Sequence, residues 1–193
     1  SFVQPMLEEV MVTAQKRVES LQDVPISVSA MSGEKVMDNG ITNLEELSLY
    51  IPNVNINQGQ AQPNLFVRGV GSGTNAGFEQ SVGMYFDGIY YARAQLARSP
   101  IFDLDRLEVL RGPQVTLFGN NSIGGAVSIQ SAKPTSDPEA SVSYLYEPEH
   151  DEKELQLVFS GPITDPIAAR LAIRDYQPGG DIENAFPGRD EPK

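Results

Sequence analysis

A single histidine, His150, and no cysteine bound the chemistry available to this chain. Thiolate metal sites, disulfide frameworks, a histidine-built zinc centre and the common catalytic triads all need partners it lacks. The carboxylates Asp103 and Asp105 form a pairing too common to mark acid–base work. Gly71-Ser72-Gly73-Thr74-Asn75-Ala76 matches a loose dinucleotide fingerprint after an apolar run, but no periodic helix follows, so the match is empty. Catalysis is therefore not expected, and neither is a metal or a cofactor. What remains is binding chemistry. Arg68 and Arg111 each close an apolar run and each precede a glycine; on their own they read as surface arginines. Val10-Met11-Val12-Thr13 is a compact β-prone tetrad, on its own an ordinary N-terminal strand. Phe78, Tyr90 and Tyr91 carry rings that can stack on a ligand, although tyrosine after a hairpin more often packs.

The elements that must position these residues are short. Ile26 to Ala30 alternates as a half-buried strand does. Ser32 is placed to cap a helix ending at Asn39-Gly40, and Thr42 with Glu45 has capping-box spacing for a second helix. That helix carries Leu44 and Leu47 inward and ends before Pro52. Strands are expected at 54–57, 65–68 and 84–86, with Asp87-Gly88 as a tight turn leading to Ile89-Tyr90-Tyr91. A further strand at 106–110 is broken by Gly112-Pro113, a short helix runs to Phe118, and 126–129 forms a last strand. Gly69, Gly112, Gly119, Gly124 and Gly125 read as backbone geometry. Mixed short helices and strands make a small α+β domain over 25–133. Residues 1–24 read as a mobile arm without the basic and apolar regions of a leader peptide, as expected of a processed form.

Beyond Pro134 the pattern is purely β. Leu155, Leu157 and Phe159 alternate with Gln156, Val158 and Ser160. Ile167, Ala169, Leu171 and Ile173 alternate with Ala168, Arg170, Ala172 and Arg174. Such segments fit both a transmembrane barrel strand and a soluble sheet with one wet face. The 193 residues include 40% hydrophobic types, enough for a core, and the net charge is -12, against a nucleic-acid partner. No apolar run is long enough for a membrane-spanning helix.

Several segments, in order and spacing, resemble the TonB-dependent receptor family over nearly the whole chain. Glu9-Val10-Met11-Val12-Thr13-Ala14 resembles the TonB box. Asn64 to Gly69 resembles the family's first arginine–glycine strand, and Val82 to Tyr90 its central hairpin. The most specific piece is Leu107-Glu108-Val109-Leu110-Arg111-Gly112-Pro113, continuing through Leu117-Phe118-Gly119 to Ile123-Gly124-Gly125-Ala126. Phe118 replaces a commoner tyrosine, and Asn120-Asn121-Ser122 fills the turn unusually.

The resemblance implies a plug of mixed β-sheet and short helices inside a β-barrel of about 22 strands. Residues 134–193 would be the start of that barrel, and the chain a piece of a longer receptor. The implied location is the bacterial outer membrane, with the arm facing the periplasm. Residues 9–14 would add a strand to the TonB-type periplasmic energy transducer. Arg68 and Arg111 would enter a buried cluster with two glutamates of the barrel wall, and both are expected to be solvated without them. A bulky scarce solute such as a ferric siderophore would meet outward loops bearing Gln58, Gln60, Gln62, Ser72, Asn75, Phe78, Tyr91 and Arg93. No signalling domain is expected ahead of the box. The tail strands, lacking their barrel, are expected to fold back or pair with a second copy as a homodimer. The alternative reading is a soluble binding module that reuses the plug fold.

Overall fold

The structure is a computed structural model that describes residues 11–12, 19–20, 26–57, 63–73, 80–92, 97, 99–119, 121–148 and 151–179. The chain divides into two compact units, Ser1–Ala132 and Lys133–Lys193.

The first unit is built on a five-stranded mixed sheet. Its members are β3 (Val28–Ser32), β7 (Val82–Phe86), β8 (Ile89–Tyr91), β9 (Leu104–Arg111) and β10 (Gly125–Ser131), in the order β3-β9-β10-β7-β8. All pairs are antiparallel except β10 with β7. A three-stranded antiparallel sheet, β4 (Val54–Asn57), β5 (Asn64–Val67) and β6 (Val70–Gly71), lies in the same unit. So do α1 (Gly33–Asp38), α2 (Leu47–Tyr50) and α3 (Val115–Phe118), and a two-residue pair, β1 (Met11–Val12) with β2 (Glu19–Ser20).

Strand alternation gives the large sheet two different faces. One face presents Leu107, Val109, Val127, Ile129 and Met84 to the main core, which Val36, Leu44, Leu47, Ile56, Leu65 and Val67 complete. The other face carries Leu110, Ala126 and Tyr85, covered by Val12, with Phe118 packed beside them. The Tyr85 ring meets Phe118 edge-on at 4.9 Å and its hydroxyl donates to the Phe118 carbonyl. Residue 118 thus contributes its ring and its backbone oxygen.

One local device, the box ahead of α2, differs from its sequence reading, while the Ser32 cap and the Asp87-Gly88 turn match theirs. Ser32 caps α1, its Oγ accepting from Lys35 N at 3.3 Å. Ahead of α2, however, the box is shifted by one. Glu46 Oε2 accepts from Thr42 N at 2.6 Å, while Asn43 Oδ1 accepts from Glu45 N and Glu46 N at 3.0 and 3.2 Å. Asn43 thus serves the turn that leads into α2, its short amide reaching the backbone amides two and three residues on, while the N-cap residue of α2 itself, Glu46, makes no side-chain capping bond. The Asp87-Gly88 turn has both residues left-handed, φ 48° and 79°, as a tight hairpin requires. Its Asp87 carboxylate also accepts from Ser131 N and Oγ at 2.9 and 2.8 Å, clasping the hairpin to the end of β10.

The second unit is an antiparallel meander of β11 (Glu139–Glu147), β12 (Glu152–Thr164) and β13 (Ile167–Gln177). Its exposure is inverted relative to a soluble sheet. The row Val142–Leu157–Ile173 and the row Ala140–Phe159–Leu171 share one face. There Val142, Phe159, Leu171 and Ile173 are 69, 50, 56 and 46% exposed. On the opposite face Glu154 is only 5% exposed and is gripped by Arg174 through two bonds, at 2.8 and 2.7 Å. Arg170 pairs with Glu139 at 3.5 Å on that same face. The second face also carries Val158, Leu145 and Tyr176, but large apolar side chains left exposed on one face while an ion pair is buried on the other is the reverse of what water demands.

Candidate functional site

The first unit brings Arg68 and Arg111 onto one side chain. Arg68 sits in the turn between β5 and β6 with a left-handed φ of 53°, and its N–H is fixed to Asn53 O at 2.8 Å. Arg111 ends β9, and its N–H donates to Ser27 O at 2.9 Å, extending the β3–β9 ladder. The alternation of Ile26-Ser27-Val28-Ser29 puts both serines on the face that Arg111 shares. Arg111 Nη1 then donates to Ser27 Oγ at 3.3 Å and Nη2 to Ser29 Oγ. Arg68 Nη2 reaches the same Ser27 Oγ at 3.0 Å. Gly112, at φ 89°, turns the chain beside it; a β-carbon built there would stand 3.9 Å from Arg68 Nη1.

Both guanidiniums bond one oxygen, so their charges are held within roughly 6 Å, where like charges repel in a partly buried setting. Among the described residues neither meets a carboxylate. Arg106 is the contrast, bonding Asp105 and Glu108 Oε1, the latter at 2.8 Å. Arg111 Nε is buried without an acceptor, at a cost of about 1–3 kcal/mol. The expectation that both arginines are solvated holds for Arg68 only. Arg111 is half-buried, because the serines of β3 stand opposite the end of β9 and hold its head in. A pair of forked donors short of negative charge can recognise carboxylates.

The N-terminal segment is also placed differently from a free arm. Met11–Val12 pairs with Glu19–Ser20, and Val12 is fully buried with Tyr85, Leu110 and Ala126. Burial of one valine contributes roughly 1.5–3 kcal/mol, enough to hold a two-residue strand in place. Glu9, Val10, Thr13 and Ala14 lie outside the described residues.

Of the loop positions, Gln58, Gln60, Gln62, Asn75, Phe78 and Arg93 lie outside the described residues, as does His150. The Ser72 hydroxyl is engaged with Ser81, through its backbone N and, at 2.9 Å, its Oγ. Tyr91 is exposed at the end of β8. The sequence does not single out Ser27 and Ser29 as partners of the arginines, although their alternation in the first strand is the available signal. Among the described residues no group of three metal-ligating side chains occurs, and no helix is long and apolar enough to cross a membrane.

The family described as the TonB-dependent receptor plug domain matches residues 20–126. The pesticin receptor of Yersinia pestis is 28% identical over 173 residues, covering 86% of this chain and 25% of that protein. The ferrioxamine B receptor of Salmonella typhimurium is 31% identical over 157 residues, covering 78% of this chain and 22% of that protein. Among solved structures, the ferric yersiniabactin uptake receptor from Yersinia pestis superposes with a TM-score of 0.70 at 26% identity, over 77% of this chain and 24% of that one. The pyoverdine outer membrane receptor of Pseudomonas aeruginosa shares the fold, with a TM-score of 0.71 at 20% identity over 86% of this chain and 24% of that one. The chain spans about a quarter of the length of the curated relatives it matches. With a plug-family match over more than half its residues, it belongs to the TonB-dependent receptor plug domain family.

Proposed function

We propose that this chain is the gate of an outer-membrane active transporter rather than an enzyme. Residues 1–24 form an arm with the energy-coupling box, 25–133 the plug, and 134–193 the start of the enclosing barrel. The observation that carries this reading is the inverted sheet β11–β13. A surface with Phe159, Leu171 and Ile173 outward and the Glu154–Arg174 pair inward suits lipid outside and a polar lumen inside. It disfavours the soluble-module alternative, for which the same face would be a large exposed apolar patch.

Within this reading Arg68 and Arg111 are the plug's half of a latch, and carboxylates of the barrel wall are the other half. Glu154 is already neutralised by Arg174, so the latch needs carboxylates from elsewhere in the receptor. Residues 9–14 are the box that adds a strand to a periplasmic energy transducer of the TonB type. Because Met11–Val12 is already paired and Val12 buried, that addition requires β1 to leave its seat. The cargo class is a bulky scarce solute such as a ferric siderophore. The relatives named for ferrioxamine B and pyoverdine support that class without fixing its member.

The box is tested in the complete receptor. Val12→Pro removes a main-chain donor and cannot continue a paired strand. Energised uptake of ferric siderophore by cells should vanish while equilibrium binding to outer-membrane preparations persists. Uptake at the unaltered rate would sink the assignment of residues 9–14.

A further inference from the structure

Among the described residues, Ser27 is the side chain that bonds both arginines. Its Oγ accepts from Arg68 Nη2 at 3.0 Å and from Arg111 Nη1 at 3.3 Å, across sequence separations of 41 and 84 residues. Its carbonyl also accepts from Arg111 N at 2.9 Å, so its place relative to β9 is fixed by the backbone. A hydroxyl has two lone pairs and no charge. It can therefore accept from two guanidiniums together while leaving both with a full positive charge for a third party. A carboxylate at residue 27 would cancel one of the two charges, and an apolar residue would leave like charges free to separate.

The rest of the site agrees. Among the described residues Arg68 and Arg111 make three side-chain hydrogen bonds between them, whereas each guanidinium carries about five N–H donors. One of the remaining donors, Arg111 Nε, is buried. The left-handed backbone of Arg68 and its bond to Asn53 O bring that side chain in from a different sheet.

We infer that Ser27 is a positioning residue that joins Arg68 and Arg111 into a single oxyanion-binding fork, with carboxylate as the group it takes in the assembled receptor. This deepens the latch reading and rests on it for the identity of the occupant. The binding itself is a property of the chain. Inorganic phosphate serves as probe, since guanidinium forks match its oxygens as they match a carboxylate.

The experiment follows thermal unfolding of the 193-residue chain in mild non-ionic detergent, titrated with phosphate at constant ionic strength against chloride. A ligand that binds only the folded state raises the midpoint, by an amount that grows with the logarithm of its concentration over its Kd. Phosphate should raise the midpoint of the unaltered chain, and Arg68→Ala and Arg111→Ala should each abolish the rise. Ser27→Ala should weaken phosphate binding by about tenfold, the fold-change of one charge-assisted hydrogen bond. Ser27→Thr keeps the hydroxyl on a strand-compatible residue and should bind within about twofold of the unaltered chain. The inference is overturned if phosphate and chloride act alike on the unaltered chain, if Ser27→Ala binds phosphate undiminished, or if Thr fails as Ala does. The latch is judged separately, by solute leakage through the complete receptor. A Ser27-dependent phosphate site together with an unchanged leak in Arg111→Ala would retire the latch and leave the fork standing.

Discussion

Two hydroxyls hold the Arg111 guanidinium, and neither neutralises it. Replacing Arg111 by alanine therefore has two opposed effects in this chain. It removes charge-assisted bonds to Ser27 and Ser29, and it relieves repulsion with Arg68 and the burial of Nε. The net should be a loss of about 1 kcal/mol on chemical denaturation, larger than the ~0.5 kcal/mol ceiling for an exposed side chain. In the complete receptor the same change should loosen the plug, and leakage of small solutes through the barrel should rise. An unchanged leak would count against the latch. At this scale the sequence was readable in part. The arginine–glycine pattern alone left Arg68 and Arg111 as surface arginines, and only the family resemblance linked the two. Their meeting on Ser27 was not readable, because it depends on the register of β3 against β9 and on a turn in another sheet.

Among elements, β9 and β10 carry the unit, since both are central strands and their residues line both cores. They leave no room for a side chain at Gly125, where φ is 143° and a β-carbon would stand 2.2 Å from Leu110 O. That contact is with backbone of the neighbouring strand, which cannot step aside without breaking the ladder. Gly125→Ala should cost roughly 1–3 kcal/mol, read as a lowered midpoint in thermal melts of the chain. A melt like that of the unaltered chain would mean the strands separate more easily than their register implies. The elements themselves were largely legible. Leu44 and Leu47 lie in the core, the Asp87-Gly88 turn is left-handed at both residues, and Gly112-Pro113 ends a strand before a short helix. Legibility failed where side chains compete for the same amides, as when Asn43 in place of Thr42 accepts from the amides of the turn ahead of α2. It failed again where tertiary burial of Val12 seated a segment that its charged surroundings suggest is free.

For the molecule as a whole, the two units pose separate folding problems. The first has its own core, assembled from both of its larger sheets. The second is three strands whose apolar side chains face outward and whose outer edges, on β11 and β13, pair with no other described strand. Removing 134–193 should leave a cooperative, monomeric unit by light scattering and thermal melting, while the full chain in water should self-associate through those edges. If the shortened chain aggregates or melts without a transition, the first unit is not independent. The Asp87–Ser131 clasp bears on a different property, the response to tension. Ser27 enters the large sheet at the end where Leu110 meets Val28, whereas Ser131 and the clasp lie at the opposite end. A pull between these points runs along the strands. The β3–β9 and β9–β10 ladders lie across that direction, so their bonds are sheared together instead of being peeled one at a time. The clasp braces the far anchor, and the first side-chain contacts to feel the load are those that Ser27 makes with Arg68 and Arg111.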